Sequence, residues 1–143
     1  MGKGVNLINK TLTKVRFSEV DSMGVVWHGN YVKYLEDGRE AFGSEYGLSY
    51  TDVYEKGLMT PIVKLDVDYK GMIKYGDEIL IVTEFVPTVA AKVIFKYKIY
   101  NAKDNKLVLT ATTIQVFIDL EGQLQLTNPE FFANWKDSLK NNS

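Results

Sequence analysis

The sequence predicts an α+β fold, with one amphipathic helix laid against a large antiparallel sheet. Three observations carry that expectation. One stretch after Asn30 repeats its apolar residues at three- and four-residue spacing. Most of the chain beyond residue 62 instead alternates with a period of two. Short polar turns, Tyr75-Gly76-Asp77 and residues 101–106 among them, separate the alternating runs.

Taken in order, residues 1–10 are polar with glycines and read as a frayed end. Residues 11–17 alternate, Thr13, Val15 and Phe17 on one face and Lys14 and Arg16 on the other, as in a half-buried strand. Residues 18–29 hold turn residues without a clean period. Asn30 is then a candidate N-cap. Behind it Tyr31, Tyr34, Leu35, Gly38, Ala41 and Phe42 share a helix face, opposite Lys33, Glu36, Asp37 and Glu40. A glycine inside a helix costs about 1 kcal/mol relative to Ala, so Gly38 on the apolar stripe points to close approach of a sheet. Gly43 and Gly47 end the helix, and residues 50–56 suit one short helical turn.

The remainder reads mostly as strand. Val63, Leu65, Val67 and Tyr69 alternate with Lys64, Asp66 and Asp68. Residues 79–86 are nearly all apolar, the pattern of a strand covered on both faces, and Pro87 ends them. Val93, Phe95, Tyr97 and Ile99 form one face of the next strand. A long β-branched strand over 107–118 follows, then a turn at Glu121-Gly122 into residues 123–126. Thr127-Asn128-Pro129-Glu130 opens a last helix, by a Thr…Glu capping box or with Asn128 as cap; Phe131, Phe132 and Trp135 are its apolar side. No repeat or linker divides the chain, so residues 1–143 are expected to form a single domain. Open edges on such a sheet lead us to expect self-association.

Composition narrows the function. Of 143 residues 45% are apolar, which is globular composition. The net charge of −1 and the absence of a long basic run disfavour nucleic acid as partner. With no cysteine, thiolate metal sites and a Cys nucleophile are excluded. One histidine without cysteines makes a metal site weak, and no metal or other cofactor is expected. No apolar run approaches the ~20 residues of a membrane span, and the first ten residues lack the apolar core of a signal peptide. Position 6, where a myristoylation signal has Ser or Thr, is Asn6. A cytoplasmic protein without a membrane segment is therefore expected.

The unusual chemistry sits in residues 17–42. Asp21 lies in a polar turn before the helix and has two readings. It can bond its own backbone as an Asx-turn, or it can be a carboxylate placed beside helix N–H groups to attack a carbonyl or activate a water. His28, the only histidine, can be structural or catalytic. No G-x-S-x-G elbow or phosphate-cradling glycine motif is present. Glu36 can be solvated or turned inward, and Arg39 can pair with it at i, i+3. Trp27, Tyr31, Met59 and Met72 can line a tunnel or fill a core.

One ordered block, Val15-Arg-Phe-Ser-Glu-Val-Asp21-Ser-Met-Gly24-Val-Val-Trp27-His28-Gly-Asn30-Tyr31-Val-Lys-Tyr34-Leu-Glu36-Asp-Gly-Arg39, resembles the signature of the hotdog-fold 4-hydroxybenzoyl-CoA thioesterases and the YbgC-like acyl-CoA thioesterases. Thr60-Pro61-Ile62, Val67-Asp68-Tyr69 and Tyr75-Gly76-Asp77-Glu78 resemble the family's second block, and Thr127-Asn128-Pro129 its C-terminal motif. The likeness covers residues 11–135. It implies a long helix wrapped by a curved antiparallel sheet of five to six strands. Also implied is a homodimer joined at sheet edges, often a dimer of dimers, with active sites between subunits. Asp21 becomes the nucleophile or general base that hydrolyses an acyl thioester. His28 opens the helix beside the thioester, and backbone N–H groups there hold its oxygen. Gly24, Trp27, Asn30, Tyr31, Glu36, Thr60 and Pro61 become substrate contacts. Between Pro87 and the next strand the basic cluster of some family members is reduced to Lys92, so nucleotide grip is expected to be weak and the carrier to be coenzyme A or an acyl carrier protein. Gly38 stands where the family usually has Ala, which would widen the acyl pocket. The alternative is a non-catalytic acyl-thioester binder on the same fold.

Overall fold

The computed structural model describes residues 7–26 and 28–141, with backbone alone at 28, 140 and 141. Strand β1 (Ile8–Lys14) leads through a single 3-10 turn at Phe17–Glu19 to helix α1 (His28–Tyr46). Helix α2 (Tyr50–Tyr54), β2 (Leu58–Met59), β3 (Ile62–Tyr69), β4 (Glu78–Val86), β5 (Lys92–Asn101), β6 (Leu107–Val116), β7 (Ile118–Asp119) and α3 (Glu130–Asn141) follow. The five long strands form one antiparallel sheet in the order β1-β4-β5-β6-β3, while β2 and β7 pair separately. One helix against this sheet is the α+β arrangement expected.

The core lies between α1 and the sheet. Tyr34, Leu35 and Phe42 on the helix and Ile79, Ile81 and Phe85 on β4 are buried. Phe95, Tyr97 and Ile99 on β5 and Leu109 on β6 join the same cluster. Each such side chain contributes about 2 kcal/mol of apolar burial. Gly38 lets the helix sit close: a Cβ there would run into Thr83 Oγ1 and lie 2.8 Å from Ile81 Cγ2. Gly38 therefore faces β4, and its missing methyl makes room for the sheet. Helix α3 closes one end of the core with Phe132 and Trp135, whose Nε1 donates to the Tyr46 carbonyl at 2.7 Å.

Several expectations need correction. Residues 8–10 belong to β1 and Leu7 is buried, because β1 pairs with β4 from Ile8 onward. Helix α1 begins at His28, so Asn30 is inside its first turn and does not cap it. Strand β4 is buried on one face only; Leu80 and Val82 on its other face stay half-exposed, since no described element covers that side of the sheet. The strand expected over 107–118 breaks at the buried Phe117, and residues 123–126 add only the bridge Ile118↔Leu124. Asn128 binds across to the neighbouring loop, donating to the Val89 carbonyl and accepting from Lys136 Nζ.

Candidate active site

The loop between β1 and α1 is built tightly. Bridges Val20↔Val26 and Val25↔Lys74 close it, and Val26 N and Tyr75 N donate to the Ile73 and Gly24 carbonyls, each at 2.9 Å. Gly24 turns the chain with φ +76°, a conformation L side chains rarely adopt. Asp21 stands on this turn. Its Oδ1 accepts from Met23 N at 2.8 Å and Val25 N at 3.3 Å, which is the Asx-turn reading. Among the described residues Oδ2 accepts no hydrogen bond, and the side chain is exposed. Helix α1 starts seven residues later, and its first N–H groups have no partner within the helix, as at every helix start. Asn30 Nδ2 donates to the Glu19 carbonyl at 2.8 Å and so ties helix to loop.

The other sequence-predicted residues fall into separate groups. His28 is the first residue of α1, and its side chain lies outside the described residues, as does all of Trp27. Tyr31 is buried in edge-to-face contact with Tyr34 and with Tyr69 of β3, and its burial pushes the phenol up. Glu36, Thr60 and Pro61 meet at a cavity of about 650 Å³ between α1, α2 and β6. Met59, Val93, Phe95 and Phe117 give that cavity an apolar wall. Gln115 Nε2 holds the wall in place by donating to the Thr60 carbonyl at 2.7 Å. Asp21 and Gly24 do not line this cavity within one protomer, and neither does Met72, which is exposed. Lys92 is exposed at the start of β5.

Arg39 was the residue the pattern placed wrongly. No ion pair joins it to Glu36 among the described residues; the guanidinium lines the cavity and its Nη1 donates to Tyr97 Oη at 3.3 Å. Burial raises the Tyr97 phenol, while Arg39 and the bond to Thr113 Oγ1 (2.6 Å) oppose the shift. A tyrosine on the inward face of β5 was the available signal, since a buried phenol needs a polar partner. Asp37 is held above its ordinary value by desolvation first, with Arg16 opposing and Glu19 and Glu36 adding. Among the described residues no group of three or more His, Cys, Asp or Glu could hold a metal ion. No helix among them is long and apolar enough to cross a membrane.

Known proteins share this fold. A family model described as "Thioesterase-like superfamily" matches residues 15–136. YneP of Bacillus subtilis (strain 168), provisionally named an acyl-CoA thioesterase, is 30% identical over 128 residues, covering 90% of this chain and 92% of that protein. The chloroplastic acyl-acyl carrier protein thioesterase ATL3 of Arabidopsis thaliana is 28% identical over 118 residues; the match covers 82% of this chain and 62% of ATL3. The solved structure of a DHNA-CoA thioesterase from Staphylococcus aureus superposes with a TM-score of 0.83 at 28% identity, over 94% of this chain and 89% of that one. By these matches the chain belongs to the thioesterase-like superfamily and is a hotdog-fold thioester hydrolase.

Proposed function

We propose that the chain hydrolyses acyl thioesters of coenzyme A to the free acid and thiol, with Asp21 as the working carboxylate. The observation that supports this role most is the division of labour between its two oxygens. Oδ1 is held by two backbone N–H groups, while among the described residues Oδ2 accepts no hydrogen bond on an exposed side chain. As general base, Oδ2 takes a proton from water while the water oxygen bonds to the acyl carbon. As nucleophile, it bonds to that carbon itself, and water then cleaves the resulting anhydride. In either course the carbon–sulfur bond breaks and the thiolate leaves and takes up a proton. The N–H groups at the start of α1, near His28, stabilise the negative charge that grows on the thioester oxygen.

The acyl group enters the cavity of Glu36, Thr60 and Pro61, with Gly24, Trp27, Asn30 and Tyr31 shaping the approach. Since Asp21 and that cavity are separate within one protomer, the working site forms between two copies. Edge strand β3 supports this reading. Val63 is 59% exposed, Leu65 39% and Tyr69 47%, an apolar row beside unpaired backbone. Two β3 strands pairing would give a homodimer with a shared site. Pairing of such dimers, and a cytoplasmic location, complete the proposal.

The carrier is the thiol partner to be decided. In sequence Lys92, the first residue of β5, is the one cation from Pro87 to Phe95, which supports loose nucleotide binding and keeps an acyl carrier protein as a second carrier. Thiol release from acetyl-, hexanoyl-, palmitoyl- and benzoyl-CoA, with matched acyl carrier protein esters alongside, tests the function. Release from at least one CoA ester is expected; release from the carrier-protein esters alone would correct the carrier. Binding without release from any ester would make the protein a non-catalytic binder.

A further inference from the structure

Glu19 does not line the cavity, yet it is bonded on three sides. Its Oε1 accepts from Arg16 N at 2.8 Å and from Tyr34 Oη at 2.9 Å, and its backbone carbonyl accepts from Asn30 Nδ2 at 2.8 Å. Asn30 and Tyr34 lie four residues apart on α1, so they sit one above the other on the same helix face. Glu19 thus spans one full turn of the helix, by its carbonyl at one level and its carboxylate at the next. Tyr34 is fully buried, and its phenol is driven strongly upward by burial first and by Glu19 second. The phenol therefore keeps its proton and remains the donor. Two residues beyond Glu19 the chain reaches Asp21, whose own N–H donates to the Val25 carbonyl at 2.9 Å.

We infer that Glu19 is a positioning residue: through Tyr34 and Asn30 it fixes the Asp21 turn against the start of α1. This inference rests on the proposed role of Asp21. Reaction requires the attacking oxygen and the N–H groups that receive the growing charge to face one acyl carbon from two sides. Those two groups belong to different elements, the loop and the helix. The bridges to residues 73 and 74 tie the loop to a neighbouring segment, whereas the Glu19 bonds tie it directly to α1. Displacement of about 1 Å at a reacting group can cost up to 10²-fold in rate, so a strut between loop and helix acts on turnover. Binding of the acyl group in a cavity built from other residues is left alone. A glutamine at position 19 keeps an oxygen that can accept both bonds, so geometry and not charge is the feature required.

The test compares Glu19→Ala, Glu19→Gln and Tyr34→Phe with wild type and Asp21→Asn, on whichever of the four CoA esters turns over fastest, with folding checked by circular dichroism. Glu19→Ala and Tyr34→Phe are expected to lower kcat roughly 10-fold with KM within twofold; Glu19→Gln should restore most of the loss. In the Asp21→Asn background, Glu19→Ala should lower the residual rate less than twofold, because nothing remains to be positioned. A role in stability alone would not produce that non-additivity. An inactive Asp21→Asn together with Glu19→Ala and Tyr34→Phe at full kcat would overturn the positioning role and leave the proposed function standing. Full activity of Asp21→Asn, or no turnover by wild type of any CoA or acyl carrier protein ester, would remove both.

Discussion

Asp21 can satisfy a turn and still react, because a carboxylate has two oxygens and the described backbone bonds only Oδ1. The structural and functional readings of this residue, alternatives by local pattern, are compatible in space. Gly38 is a different case, where the sequence told one story well and another badly. Its position on the apolar stripe signalled close approach to a sheet, and Thr83 and Ile81 do crowd it. Widening of an acyl pocket does not follow, since the residue faces β4 and lines no part of the cavity. Ala at position 38 would gain about 1 kcal/mol of helix propensity but force a methyl into that contact, an overpacking cost of about 1–3 kcal/mol. Gly38→Ala is therefore expected to lower the urea midpoint of unfolding, even though the same change in an exposed helix would raise it.

Among the elements, β5 and the apolar face of α1 were legible because burial on one side writes a period into the sequence. Three features were not. Asn30 has the chemistry of a cap, but its amide is committed to Glu19, and a hydrogen bond across 11 residues leaves no local pattern. Strand β4 has apolar side chains on both faces, and sequence cannot say whether the second face is covered within the chain. Arg39 turned inward for a tyrosine 58 positions away. Helix α2 shows the opposite, a fully local device. Ser49 accepts from Asp52 N at 3.2 Å, while Asp52 Oδ2 accepts from Ser49 N at 2.9 Å and Ser49 Oγ at 2.8 Å. These bonds, the backbone one first, hold the Asp52 carboxyl below its ordinary value. Because the folded state favours the ionised form, the contribution is present above the unfolded carboxylate pKa and is lost as pH falls through the depressed value. Ser49→Ala should cost about 1 kcal/mol at neutral pH, and the difference from wild type should shrink in acid, as read from urea unfolding at the two pH values.

For the whole molecule, the composition, the helix-then-strands order and the signature around Asp21 were enough to expect the fold and the thioesterase family. What they could not supply is that one chain keeps the expected site residues apart. Glu36, Thr60 and Pro61 gather at one cavity, and Asp21 stands elsewhere. If the working site is shared, assembly and activity must fail together. Leu65→Lys places a charge on the exposed apolar row of β3 and is expected to halve the mass measured by light scattering and to reduce turnover in proportion to the dimer lost. Full activity in a monomeric Leu65→Lys protein would show each site to be complete within one chain.

If Asp21 performs the chemistry, substitution by asparagine removes the reaction and spares the fold. Asparagine retains a side-chain oxygen for the amides of Met23 and Val25, so the turn is expected to stay intact while the nucleophile or base is lost. Thiol release from the best CoA ester should fall at least ~100-fold, with an unchanged circular dichroism spectrum. Turnover by folded Asp21→Asn within a few-fold of wild type would move the reaction to another group.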